Sequence, residues 1–367
     1  RDAEEDEFGI LKTSCVSNGS FRSKENKLVK ADEQSRLSTP VKKDSVIISR
    51  MNTPNLVGAN AFIPKDHPNL YLPDRLWQTQ VADTEKDHPK WFGYIMGAPR
   101  TRYEISARAT GTSGSMKNVT KEEVRSIQLP RPPLPEQEKI AEVLGCWDEG
   151  IGRLEDMIEQ KRLRKKGLMQ KLLTGEKRLP AFQKTENGGQ KAEMTQYRFF
   201  DYPSDWELPQ IKKVAKECTA RNKNGDPVTV LSCSKHRGFV ESSQYFGKQV
   251  FSADTSNYKV IHRGEFGFPS NHIEEGSIGL LTTHDKGIVS PIYTVFKTNK
   301  DMLPEYLIAL FKTETYRHIF EITTNGSVDR RGSLRWNDFK LIRVPLPSIE
   351  EQKAIADVLQ TADEEID

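Results

Sequence analysis

The chain has only four cysteines in 367 residues, Cys15, Cys146, Cys218 and Cys233, and no two of them form a Cys-x-x-Cys pair. That spacing excludes a disulfide scaffold and the common zinc sites, and it predicts reduced, buried thiols in a cytoplasmic protein. No apolar run approaches the roughly 18 residues that a membrane-spanning helix needs. Residues 1–7 are acidic and lack the pattern of a signal peptide. Charge of one sign is also lacking: 55 basic residues face 52 acidic ones, for a net +3. Global charge therefore says little about a polyanionic partner. A local run is stronger, with Lys161, Arg162, Arg164, Lys165, Lys166, Lys171, Lys177 and Arg178 set against the single acid Glu176.

Catalytic signatures are missing as well. There is no GxxxxGK[ST] phosphate loop, no HExxH, and no Asn/Asp-Pro-Pro-aromatic motif of an amino-methyltransferase. Glu25-Asn26-Lys27 has nuclease-like spacing but no Pro-Asp upstream. The glycine-rich stretch 110–115 follows no convincing strand and reads as a turn. Seven scattered histidines show no ligand spacing. The chain is therefore expected to be non-enzymatic, without metal or cofactor of its own.

What is present is a repeat. Residues 127–151 recur at 342–366, 215 positions on, without a gap. Twelve of the 25 positions are identical, among them Glu136/Glu351, Gln137/Gln352, Ile140/Ile355, Leu144/Leu359 and Asp148/Asp363. Ordinary composition would give about two. The period is too long for a solenoid unit, so two copies of a whole module are implied. Upstream the match weakens. Arg102 still meets Arg317 at the same offset. After a slip of about five residues, Asp44-Ser45-Val46 faces Gly264-Glu265-Phe266.

The repeated part predicts a helix. The segment 129–135 holds four prolines and is extended, because proline fixes φ and restricts its predecessor. Pro135 fits a first helical turn, and Glu136 and Glu138 suit a helix N-terminus. Apolar residues then follow a heptad: Ile140, Leu144, Trp147, Ile151, Leu154, Ile158, Leu168 and Leu172. Gly175 is a candidate C-cap and Pro180 forbids continuation. The span 136–174 is about 58 Å long. A seam of this length calls for a partner helix. The second copy offers Ile355, Leu359 and Ile366.

The globular parts are mixed. Residues 45–49 and 289–296 read as strands. Residues 91–96 and 305–311, each behind a proline, read as helix starts. Residues 185–191 read as a flexible link. Each globular part carries basic and amide side chains near glycine turns, the groups that read base edges and hold phosphates. In the first these are Arg22, Lys24, Arg50, Asn52, Arg100 and Arg102. In the second they are Lys235, His236, Arg237, Ser270, Asn271, His272, Arg330, Arg331 and Arg335.

Residues 132–144 and 166–180, and the copy at 344–359, resemble the conserved regions of type I restriction–modification specificity subunits. The motif evidence is confined to these regions; as an architecture the resemblance covers the whole chain. It implies an α+β fold, with two mixed α/β target-recognition domains separated by long helices forming an antiparallel coiled coil. The expected layout is a first recognition domain over 1–130 and a proline-capped spacer helix over 131–180. A linker over 181–204, a second recognition domain over 205–345 and the start of a second spacer helix over 346–367 follow. The first domain is expected to lack its opening, and the second helix most of its length. The resemblance implies a non-catalytic subunit in defence against foreign DNA. It would bind bipartite double-stranded DNA, two methyltransferase subunits and restriction/translocase subunits. S-adenosylmethionine, ATP and magnesium would reside in those partners. The alternative is an assembly scaffold that does not bind DNA.

Overall fold

The computed structural model describes residues 1–17, 19–113, 115–183, 193–235, 237–247, 251–271, 273–325 and 333–366. Contacts divide the chain into two compact units, Arg1–Leu154 and Glu155–Asp367. The link read at 185–191 lies outside the described residues.

In the first unit the strand Ser45–Ser49 is central. It pairs antiparallel with Asn60–Ile63 on one side and Leu76–Gln80 on the other. Its side chains alternate between faces, yet all five residues are buried. Ile47 enters a core with Leu11, Cys15 and Ile63, while Val46 and Ile48 enter another with Met96, Ile105 and Val119. A strand buried on both faces reads as a continuous apolar run. A helical hairpin, Pro89–Gly97 and Pro99–Arg108, follows, each helix with proline in its first turn.

The second unit repeats this frame. Phe266–Pro269 pairs with Gly279–Leu280 and Tyr293–Thr298. The helices Pro304–Phe311 and Glu314–Asn325 follow. Aromatic packing replaces the aliphatic core: Phe266 stacks on Phe296 at 4.8 Å, and Phe268, Phe311, Phe320 and Phe339 close around them. The weak slipped alignment has a structural counterpart. Asp44 turns into the central strand at φ 55°, the one non-glycine residue with positive φ among those described. Its partner Gly264 does so at φ 80°. That left-handed region tolerates aspartate and favours glycine.

Two sequence readings are corrected here. Residues 289–296 are not one strand: Lys286–Val289 ends and Tyr293–Thr298 begins across a short turn closed by the Tyr293 amide on the Ser290 carbonyl. The glycine stretch is not only a turn, since Thr110–Ser113 is a strand that pairs with Met116–Asn118. Ser290-Pro291 breaks the first run, because proline cannot donate to a strand ladder, and the strand at Thr110–Ser113 forms against the low strand propensity of Gly111.

The repeat helix spans Leu134–Leu173, 40 residues. The amides of Glu136 and Gln137 both donate to the Pro133 carbonyl at its start. Gly175 ends it at φ 71°, its amide donating to the Leu172 carbonyl at 3.2 Å. A Cβ there would lie 2.4 Å from the Pro203 ring, so only glycine fits. The second copy is Ile349–Glu364, capped by the Ser348 hydroxyl accepting from the Glu351 amide.

Candidate nucleic-acid interface and assembly helix

One device occurs twice, contact for contact. Gln137 is fully buried. Its Oε1 accepts from the His88 amide at 2.9 Å, and its Nε2 donates to the carbonyls of Lys86 at 3.1 Å and Pro132 at 2.8 Å. Gln352 is buried equally. It accepts from the Leu303 amide at 2.8 Å and donates to Asp301 at 2.9 Å and Pro347 at 3.0 Å. All three partners are displaced by the repeat offset of 215. A carboxamide supplies one acceptor and two donors, the set that three dangling backbone groups require. Each such bond contributes about 1 kcal/mol net, and each buried group left unmade costs about 1–3 kcal/mol. Every latch ties the first turn of the repeat helix to the loop that starts the helical hairpin of its own unit.

Around the latches the copies diverge. In the first unit Ala141 and Gly145 continue the buried face, and the Tyr94 hydroxyl donates to Asp148 at 2.5 Å. An exposed bidentate pair, Arg131 with Asp87 at 2.7 and 2.9 Å, stands nearby. In the second unit Glu351, the counterpart of exposed Glu136, is buried. Arg178 donates to it at 2.8 and 2.6 Å and to Asp205 at 2.8 Å, and the Trp206 indole adds a bond to Glu351 at 3.2 Å.

The heptad seam is packed over only part of its length. Leu172, Ile355 and Leu359 lie in one core of the second unit, with Leu168 against it. Lys165 pairs with Asp363, and Lys161 with Glu365 at 3.0 Å. Residue numbers rise on one helix as they fall on the other, so this stretch is antiparallel. Ile140 and Ile158 are half-buried, as is Ile366, while Leu144, Trp147, Ile151 and Leu154 are exposed, Trp147 at 70%. The basic run 161–178 thus has partners within the chain: Lys161, Arg164, Lys165 and Arg178 all face acids. The expectation of buried thiols fails at Cys146, which is exposed on the long helix. Heptad spacing reports a stripe, and what covers the stripe is a tertiary matter.

The candidate DNA-contacting residues fall into groups. In the first unit Arg22 and Lys24 are exposed on the turn before Asn26–Leu28; the Asn26 of that nuclease-like triplet is a buried strand residue. Arg50 and Asn52 come together at the end of the central strand. The Arg50 guanidinium bonds Asp74 at 2.7 Å and lies over the Trp77 ring at 5.7 Å, with the Lys121 ammonium at the same distance. Asn52 pairs with Lys117. Arg100 and Arg102 stand on the first turn of Pro99–Arg108. Arg100 is exposed, whereas burial beside Gly58 pulls the Arg102 pKa below its ordinary value.

In the second unit Lys235 and Arg237 occupy the hairpin turn between Leu231–Ser234 and Gly238–Glu241. Ser270 and Asn271 follow the central strand, and the Ser270 carbonyl accepts from Leu334, next to Arg335. His236, His272, Arg330 and Arg331 lie outside the described residues. Two cations join this group that sequence reading did not select. Lys312 donates to the carbonyls of Gly276 at 2.8 Å and Lys235 at 3.2 Å, and burial lowers its pKa. Arg317, the repeat partner of Arg102, flanks Gly276. The repeat alignment was the available signal for Arg317; Lys312 carried none. Among the described residues, no three His, Cys, Asp or Glu side chains form a metal cluster, and no helix is long and apolar enough to cross a membrane.

Comparison with known proteins adds a family. A family profile described as type I restriction modification DNA specificity domain matches residues 8–161 and 203–367. The putative type I restriction enzyme MjaX specificity subunit of Methanocaldococcus jannaschii is 26% identical over 275 residues, covering 72% of this chain and 58% of that protein. The MjaVIII specificity subunit of the same organism is 26% identical over 279 residues, covering 71% and 60%. The chain thus spans about three fifths of the length of these curated relatives. The crystal structure of a type I restriction–modification S subunit from M. genitalium matches over all of this chain and 84% of its own, with a TM-score of 0.55 at 15% identity. At that identity the likeness establishes the fold.

Proposed function

Because this chain belongs to the type I restriction–modification DNA specificity family, we propose that it is a specificity subunit reading a two-part double-stranded DNA sequence, one half with each module. The observation that carries this reading is the duplicated glutamine latch, which fixes two separate mixed domains to two copies of one helix in the same way. The edge that carries Arg50, the paired strand residues Asn52 and Lys117, and Lys121 in one module, and the segments bearing Lys235, Arg237, Asn271 and Arg335 in the other, enter the major groove, where the four base pairs are distinguishable. The repeat helices hold the half-sites apart. At about 60 Å, the 40-residue helix exceeds the roughly 34 Å of one DNA turn.

The exposed stripe of Leu144, Trp147, Ile151 and Leu154 belongs to assembly, through helix pairing and the docking of two methyltransferase subunits; restriction/translocase subunits complete the complex. S-adenosylmethionine, ATP and magnesium act in those partners, and the methyltransferases flip the target adenine from the stack. This chain contributes recognition and no catalysis. An assembly scaffold that binds only protein is the alternative, and salt distinguishes the two. DNA reading requires affinity that falls steeply with salt. The direct test inserts one heptad into the long helix and into its partner helix. The preferred gap between half-sites should lengthen while both half-site sequences stay the same. A changed half-site at constant gap refutes the reading.

A further inference from the structure

We infer that Gln137 and Gln352 are the positioning residues that hold the gap between half-sites to one length; the inference rests on the two-part reading above. Each glutamine lies on the first turn of a repeat helix, and its three bonds reach the loop at 86–88 or 301–303 and the carbonyl of Pro132 or Pro347. The latch therefore fixes the angle at which the helix leaves its recognition domain. Any error at this root is magnified along the helix. A pivot of about 5° at Gln137 moves the far end of the 40-residue helix, about 60 Å away, by about 5 Å, which exceeds one base-pair step of roughly 3.4 Å; the 16 residues of Ile349–Glu364 span about 24 Å, and the same pivot at Gln352 moves their end by about 2 Å. A rod without stiff roots is a poor ruler, however straight it is.

The two latches differ in what surrounds them. Beside Gln352 the buried Arg178–Glu351–Asp205 cluster supplies a second tie between helix and domain. Beside Gln137 the added tie is the exposed Arg131–Asp87 pair, with the half-exposed bond from Tyr94 to Asp148 farther along the helix. Loss of Gln137 should therefore loosen the gap more than loss of Gln352. Methionine matches glutamine in length and offers no hydrogen bonds, so Gln137→Met and Gln352→Met remove the latch and keep the bulk.

The test uses the full chain with its methyltransferase partners and a duplex library in which two randomised blocks are separated by every gap from 3 to 10 base pairs, in steps within about one DNA turn. Retained duplexes are sequenced. The wild-type chain should retain one gap. Gln137→Met should keep both half-site sequences and reduce the preference for the best gap over its neighbours at least tenfold, with a smaller loss for Gln352→Met. A uniform fall in retention at all gaps, with the preference intact, overturns the proposal and leaves two-part reading standing. A wild-type chain that selects no two-part sequence overturns both. Should the methionine variants fail to fold, Gln137→Asn and Gln352→Asn keep a neutral carboxamide one methylene too short to hold all three partners, and the same loss of gap preference is expected. Hydrogen exchange in the unaltered chain adds a check. The amides of His88 and Leu303 should be protected like those inside the following helices, and exchange at open-loop rates overturns the proposal.

Discussion

Replacing Arg178 with methionine tests the buried cluster at the base of the second module. The guanidinium makes two bonds to Glu351 and two to Asp205, and it lies 5.9 Å over the Trp206 ring. Glu351 is 1% exposed, so removal of the arginine strands a buried carboxylate. Breaking such a pair costs about 3–5 kcal/mol, whereas replacing both members with apolar groups is often near neutral. Asp205 is partly exposed and can be rehydrated, so its lost bonds add little. We take the low end, about 3 kcal/mol, for Arg178→Met. In a unit of this size that lowers the melting temperature by about 6–12 °C. The double variant Arg178→Met, Glu351→Met still strands the Trp206 indole N–H, so it should lose about 1–3 kcal/mol. The assay is urea unfolding of the full chain in a double-mutant cycle. A cost below about 1 kcal/mol for Arg178→Met, or two single costs that simply add, would show that Glu351 is not held by this arginine.

Other outcomes follow from the same contacts. Leu359→Ala should cost about 2–5 kcal/mol, while its repeat partner Leu144→Ala, on an exposed stretch, should cost under about 1 kcal/mol; equal losses in urea would contradict the burial described here. Native thiol labelling should show one fast cysteine, Cys146, because Cys15, Cys218 and Cys233 are pushed up to about 12, chiefly by burial; a second fast thiol would refute this. The hydrogen bond and charge of Lys161, with Arg164, hold the Glu365 carboxyl below its ordinary 4.5. A lowered folded value makes this link whole above about pH 4.5 and loses it as the pH falls through that lower value. The protection of amides 361–366, measured against the intrinsic exchange rate at each pH, should therefore fall on acidification, and protection indifferent to pH would remove the pairing from the helix contact.

Residue spacing alone determined the repeat, the proline-started helix, its glycine stop and the duplicated frame. These are local or self-similar properties, set by φ limits, by a period of 3.6 and by matching one stretch of chain to another. Gln137 and Gln352 were visible as an identity, but nothing in a linear pattern says that a polar side chain is fully buried. Tertiary structure decided that, and it gave opposite fates to identical residues. Glu351 and Leu359 are buried while Glu136 and Leu144 are exposed. The physical reason is distance along the chain. Glu351 is met by Arg178, 173 positions away, and whether a stripe is covered depends on which segment folding brings against it.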